Sequence, residues 1–357
     1  MMLALIMAGG TGTRFWPKSR AKHPKQFLKI HGDRTMIQQT AGRLQSIIPD
    51  EHIFVVTTAP QAEELSRQLP FLPQQNVVIE PMGKNTAPCI GLGALFLRRI
   101  DPEAVMVVQP ADHLILHEKA FLDILQEAEL IARESGALVT IGVQPTYPAT
   151  GYGYIQHTDE EVRGKNQTAY VVKTFAEKPN LDTARLFLQS GDFLWNSGIF
   201  VWKISSILKE IEEHLPELAE GLWTIDKAIG TAQQDETISR VYKQIKSISI
   251  DYGIMEAARQ VLVLPGDFGW NDLGSWNEVY EIGEKDQNGN VADAGHLLCD
   301  TSGCLVDVPG KLVATVGVQD LIIVETDDAI LICPRERAQD VKNIVDGLKQ
   351  RKLQNLL

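Results

Sequence analysis

The sequence has 357 residues, 44% of them hydrophobic and 22% charged, with a formal net charge of −12. That length supports a large domain plus a smaller one around an ample core. The acidic balance argues against nucleic acid or an anionic membrane as main partner, because both repel net negative charge.

The opening MMLALIMAGG has no basic flank, and its apolar run is too short for a signal peptide or a membrane span. It reads as a first buried strand, LALIMA (3–8). Further runs that are apolar on both faces follow at 53–58, 76–80, 104–110 and 137–143, as expected of parallel strands covered on both sides. Helical patterns lie between them: 35–48, opened by a capping box at Thr35 and Gln38, then 60–69, 87–98 and 119–134. This alternation predicts an α/β sheet that binds ligands at the carboxyl ends of its strands.

From about Tyr147 the sequence turns Gly- and aromatic-rich in TGYGYI, AYVVKTFAEKP and NSGIFVWK, a pattern that predicts antiparallel strands over a pocket. Helices are expected at 205–214 and 235–258. After DQNGN (286–290) the runs HLLCD, CLVDV, KLVATVG, LIIVETD and AILICP read as short strands, and a closing helix covers 335–351. Two domains result, 1–285 and 286–357. Cys89, Cys299, Cys304 and Cys333 have neither disulfide-framework nor zinc spacing and suit a reducing cytoplasm. His113 and His117 have metal-like spacing, but the apolar HLILH argues against a zinc site.

The most informative stretch is AGGTGTRFWPKSRAKHPKQF, Ala8 to Phe27. A glycine-rich turn after a strand presents backbone N–H groups to phosphate. It is neither a Walker A loop nor G-x-G-x-x-G, since Phe15 stands where the third glycine belongs, which disfavours a nicotinamide dehydrogenase. Arg14 and Lys25 are the candidate phosphate clamps, whereas Lys18, Arg20 and Lys22 read as solvated surface charges.

This stretch resembles the signature of the sugar-nucleotide pyrophosphorylases, and its W-P-x-S-R and P-K-Q-F forms are most similar to the mannose-1-phosphate guanylyltransferases. EPMGKNTAP, QPADH, TGYGYI, FAEKP, WNSGIF and GWNDLGSW match in family order. The resemblance implies a Rossmann-like, mainly parallel mixed sheet and a small left-handed β-helix-like C-terminal domain that helps build a homodimer. Ending at Leu357, the sequence is expected to lack the isomerase domain of longer bifunctional relatives.

The implied reaction joins GTP and mannose 1-phosphate into GDP-mannose and pyrophosphate, reversibly and with Mg²⁺. A phosphate monoester has a second pKa of about 6 and is an ionised nucleophile without a general base. Catalysis is then positional and electrostatic, by Arg14, Lys25, Asp112 and Asp272, with the two aspartates as metal ligands. Ala8, Gly9, Gly10, Thr11, Gly12 and Thr13 would hold the nucleotide. Asn85, Thr86 and Ala87 would add helix N-terminal amides.

Related thymidylyl- and uridylyltransferases commonly carry Gln at the position of Glu80. A carboxylate only accepts, and guanine offers it two adjacent donors, N1–H and N2–H₂. Uracil and thymine would set a carbonyl against it, so Glu80 favours guanine. For the sugar phosphate the resemblance points to Gly153, Glu177, Lys178 and Asn196. The open alternatives are a heptose or other hexose 1-phosphate as substrate, and a non-catalytic sugar-nucleotide sensor.

Overall fold

The computed structural model describes residues 1–176 and 178–357. They form two compact units, Met1–Gly9 with Gln38–Trp270, and Gly10–Ile37 with Asn271–Leu357. A cut at 285 does not reproduce this division, because the glycine-rich stretch groups with the C-terminal residues.

In chain order the strands of the first unit are β1 (Met2–Ala8), β2 (Ile53–Thr58), β3 (Val77–Glu80), β4 (Val105–Pro110), the short β5 (Leu114–Ile115), β6 (Leu138–Val143), β7 (Tyr154–Arg163), β8 (Thr168–Ala176), β9 (Phe193–Lys203) and β10 (Val261–Gly266). All but β5 make one sheet in the order β3-β2-β1-β4-β9-β6-β10-β8-β7. The five runs expected as parallel strands are β1 to β4 and β6, and their pairings with one another are parallel. The aromatic-rich segments supply β7, β8 and β9, which run antiparallel, so β9 interrupts the parallel set between β4 and β6.

The helices are α1 (Met36–Leu44), α2 (Ala59–Gln68), α3 (Thr86–Arg98), α4 (Glu118–Ser135), α5 (Leu181–Ser190), α6 (Ile204–His214), α7 (Pro216–Ala228) and α8 (Gln234–Gln244). The helix expected over 235–258 is cut short. It ends at Gln244, and a separate five-residue π-helical turn follows at Asp251–Met255. Helix α7 escaped the sequence reading. The main core joins Leu3, Leu5, Met106 and Val108 of the strands to Ile90, Leu95, Ile207, Leu222 and Tyr242 of the helices, all 1% exposed or less. Burying such side chains contributes on the order of 1.5–3 kcal/mol each.

A two-residue strand, β11 (Trp270–Asn271), and helix α9 (Trp276–Ile282) lead into the second unit. There follow β12 (Val291–Ala292), β13 (Leu297–Cys299), β14 (Leu305–Asp307), β15 (Ala314–Val316), β16 (Leu321–Glu325), β17 (Ile330–Pro334) and α10 (Val341–Gln350). Strands β12, β14 and β16 pair in parallel, as do β13 and β15, while β17 closes on β16 antiparallel. Short parallel strands stacked by successive turns of chain are β-helix-like geometry. Inside lie Cys304, Val306, Val308 and Ile323. Asn290, 1% exposed, starts the stack by accepting from the Cys304 N–H and donating to the Thr301 carbonyl.

Candidate active site

In the first unit the candidate residues sit where strands end. Strand β4 stops at Pro110, and Asp112 follows in the turn before β5. Thr40 of α1 ties that turn down by donating to the Ala111 carbonyl at 3.1 Å. His113 is engaged structurally, its Nδ1 accepting from Trp270 Nε1 at 3.1 Å.

Glu80 ends β3 and is 3% exposed. Its Oε1 is buried and accepts no hydrogen bond from the described residues, which costs roughly 1–3 kcal/mol until a donor arrives. Burial pushes the carboxyl up from 4.5 to about 7, against hydrogen bonds from the Lys84 backbone N–H and the Tyr242 hydroxyl that pull it down. The Tyr242 hydroxyl donates to the Pro88 carbonyl at 3.1 Å. A Cβ on Gly9 would stand 3.5 Å from Glu80 Oε2, so the end of β1 borders this carboxyl. The preceding residue, Ala8, accepts from Thr57 Oγ1 at 3.1 Å.

Residues 85–87 open α3 as expected, but the amides of Thr86 and Ala87 are spent within the protein. The Thr86 N–H goes to Asn85 Oδ1 at 2.8 Å and the Ala87 N–H to the Ile248 carbonyl at 3.1 Å. Thr86 Oγ1 accepts from the Ile250 N–H at 2.8 Å. The segment is zipped to the chain after α8, so the Thr86 and Ala87 amides already have partners within the protein.

Gly153 and Asn196 are brought together, the Asn196 N–H donating to the Gly153 carbonyl at 2.9 Å. The Asn196 side chain is more committed than the sequence reading assumed. Its Oδ1 accepts from the Gly198 N–H at 3.0 Å, and its Nδ2 donates to Asp251 Oδ1 at 2.7 Å. Asp251 was missed, because an acid that meets this strand from a turn 55 residues later leaves no local pattern. Lys178 is exposed, and Glu177 lies outside the described residues. Tyr152, Tyr154, Trp195 and Trp270 are at most 8% exposed. Tyr152, Trp195 and Trp270 stack edge-on, with Tyr152 5.1 Å from each tryptophan.

In the second unit the glycine-rich stretch is a fixed object. Gly12 has φ +57°, and a Cβ there would fall 2.5 Å from Lys25 Cβ, so conformation and space both require glycine. Ser19 Oγ donates to the Thr11 carbonyl at 2.8 Å, and Gln26 Nε2 to the Gly10 carbonyl at 3.1 Å. Thr13 to Phe15 form one 3₁₀ turn. On it Arg14 is half-buried and makes no hydrogen bond or ion pair with the described residues. Lys25 is 4% exposed, and its Nζ donates to the Asp272 carbonyl at 2.6 Å. Two expected catalytic residues 247 positions apart therefore meet.

A Cβ on Gly274 would stand 3.3 Å from Asp272 Oδ1 and 3.4 Å from Oδ2, so glycine keeps that side of the carboxylate open. Oxygen donors with space beside them fit a hard divalent cation that retains waters and phosphate oxygens. Of the cations read as surface charges, Lys22 is exposed, but Lys18 and Arg20 are ion-paired to Asp307 and Asp328 at 2.6 Å.

Residues 3–289 match the nucleotidyl transferase family, and residues 295–348 the mannose-phosphate isomerase/GMP-like beta-helix domain. A mannose-1-phosphate guanylyltransferase of Klebsiella pneumoniae is 39% identical over 98% of this chain and 74% of its own length. One from Salmonella typhimurium is 40% identical over 97% of the chain and 72% of its own length. A crystal structure of a mannose-1-phosphate geranyltransferase from Thermus thermophilus superposes with TM-score 0.86 at 32% identity, covering 98% of this chain and 99% of that one.

Proposed function

We infer that this chain, which belongs to the mannose-1-phosphate guanylyltransferases of the nucleotidyl transferase family, is an enzyme that transfers GMP from GTP to mannose 1-phosphate. GDP-mannose and pyrophosphate are the products. The observation that carries the reading is identity of 39% over 98% of the chain, which spans both the nucleotidyl transferase region and the β-helix region.

The chemistry asks little covalent work of the protein. An oxygen of the sugar phosphate forms a bond to the α-phosphorus, the bond to the β-phosphate bridging oxygen breaks, and pyrophosphate leaves with that electron pair. Charge moves onto the leaving group, so fixed cations lower the barrier. Arg14, without a partner among the described residues, suits a phosphate fork. Lys25 joins the glycine-rich turn to the Asp272 segment. Glu80 is the proposed base reader: its orphaned Oε1 lacks a donor and burial penalises its charged form, and the paired N–H donors of guanine would relieve both.

Magnesium is proposed on the donor chemistry of Asp112 and Asp272, where it would supply positive charge to phosphate oxygens. Gly153, Lys178, Asn196 and Glu177 remain the proposed sugar-phosphate residues, with Asp251 added through its bond to Asn196. A homodimer is supported by Ile330 and Ile332, 61% and 63% exposed on the outer face of β17. A cytoplasmic location is supported by four free cysteines, and among the described residues no helix is long and apolar enough to cross a membrane.

The test is pyrophosphate release with Mg²⁺, crossing GTP, ATP, UTP, CTP and dTTP against mannose, glucose and heptose 1-phosphates. Release confined to GTP with mannose 1-phosphate is expected. Release with dTTP or UTP overturns the base reading, and GDP-mannose binding without turnover makes the chain a sensor.

A further inference from the structure

The cations of the glycine-rich stretch divide into two sets. Arg14 has no partner among the described residues, and Lys25 is bound to the Asp272 carbonyl. Lys18 and Arg20, by contrast, are captured by the β-helix-like region. Lys18 Nζ lies 2.6 Å from both carboxylate oxygens of Asp307, the last residue of β14. Arg20 Nη2 donates to Asp328 Oδ1 at 2.6 Å, in the turn between β16 and β17, and its Nε donates to the Pro17 carbonyl at 2.7 Å. Asp328 is itself steadied by Thr326 Oγ1 at 2.9 Å.

The residues between these cations are tied in the same direction. Trp16 Nε1 donates to the Leu356 carbonyl at 2.9 Å, and Trp276 Nε1 donates to the Trp16 carbonyl at 3.1 Å. The Phe15 ring meets the Trp276 ring at 5.0 Å. Ser19, lying between Lys18 and Arg20, bonds back to Thr11 and stands 3.2 Å from where a Gly12 Cβ would be. A displacement of residues 18–20 is therefore passed to the Gly12 turn, and through it to the 3₁₀ turn that carries Arg14.

We propose that Asp307 and Asp328 are positioning residues for nucleotide binding: by holding Lys18 and Arg20 they fix the Gly12 turn and Arg14 in the geometry that receives a nucleoside triphosphate. This rests on the reading of that turn as the triphosphate site. It gives the β-helix-like region a part in catalysis separate from any part in dimer formation. The acids touch no substrate, so their effect passes entirely through the loop.

Both pairs are partly exposed, with side-chain exposures of 27% and 32% for Lys18–Asp307 and of 16% and 47% for Arg20–Asp328. Pairs of that kind are modest, so Asp307→Asn and Asp328→Asn should each raise KM for GTP about threefold, and together about tenfold. KM for mannose 1-phosphate should stay within about twofold. The exchange Lys18→Asp with Asp307→Lys should recover most of the loss of Asp307→Asn.

A purely structural role would instead lower the melting temperature and move both KM values together. That outcome, or a double variant with the parent KM for GTP, overturns the proposal. Hydrogen exchange of amides 10–28 supplies a readout independent of turnover: faster exchange in the double variant is expected, and unchanged exchange overturns the brace. If the parent chain releases no pyrophosphate from GTP and mannose 1-phosphate, the functional reading has failed, and the exchange result still decides the brace.

Discussion

Glu80 and the glycine-rich stretch are both held by long-range contacts, yet in opposite electrostatic conditions. Glu80 is buried with one oxygen unserved and its pKa raised to about 7, whereas the polar groups of residues 10–28 are largely bonded within the protein. An unserved buried acceptor discriminates, because only a ligand with the matching donors removes its penalty. A loop held by its own bonds positions, because its geometry is settled before the ligand arrives. The proposed base choice then rests on the first region and the proposed phosphate placement on the second, and each can be broken separately.

The largest effect is expected at the metal proposal. Asp112→Ala should lower turnover at least about a thousandfold, several kcal/mol of charge stabilisation, while nucleotide binding measured by calorimetry partly survives. Unchanged turnover would remove Asp112 from the mechanism. Next comes Glu80→Gln, which exchanges an acceptor-only group for one with both donor and acceptor. The preference for GTP over UTP and dTTP should shrink about a hundredfold, the worth of one or two hydrogen bonds to a charged group, in the nucleotide cross described above.

Gly12→Ala acts on placement instead. A left-handed φ costs a side chain roughly 1–2 kcal/mol, and the Lys25 contact adds to this, so kcat/KM should fall about thirtyfold for every nucleotide alike. Equal loss across nucleotides, against the selective loss for Glu80→Gln, is what separates the two regions.

The smallest effects concern pH. On the proposed base reading guanine selects ionised Glu80, so GTP binding should weaken about tenfold as pH falls from about 8 to about 6, and Glu80→Gln should lack that step. The stability effect has the opposite sign. A pKa raised from 4.5 to about 7 stabilises the fold at low pH, and the benefit is lost as pH rises through that window. At a pH of about 8 Glu80→Gln should therefore be more stable, by up to about 3 kcal/mol in thermal unfolding. A less stable variant under those conditions would show that Oε1 is served in the free protein.

Much of this protein was legible in the sequence because the signals are local. Apolar β-branched runs placed β1 to β4 and β6, turn residues bounded the β-helix-like strands, and a cluster of glycines marked the turn after β1. The motifs also gave the residue types that a reaction between two polyanions demands. Tertiary structure alone decided which of those residues are committed elsewhere. It spent the amides of Thr86 and Ala87 within the protein, bound Asn196 to Asp251, and turned Lys18 and Arg20 from apparent surface charges into ties 289 and 308 residues long. It also left Glu80 Oε1 without a donor among the described residues. Periodicity and spacing report what a segment is. Whether a polar atom is already satisfied depends on partners brought from far along the chain, and only the folded backbone brings them.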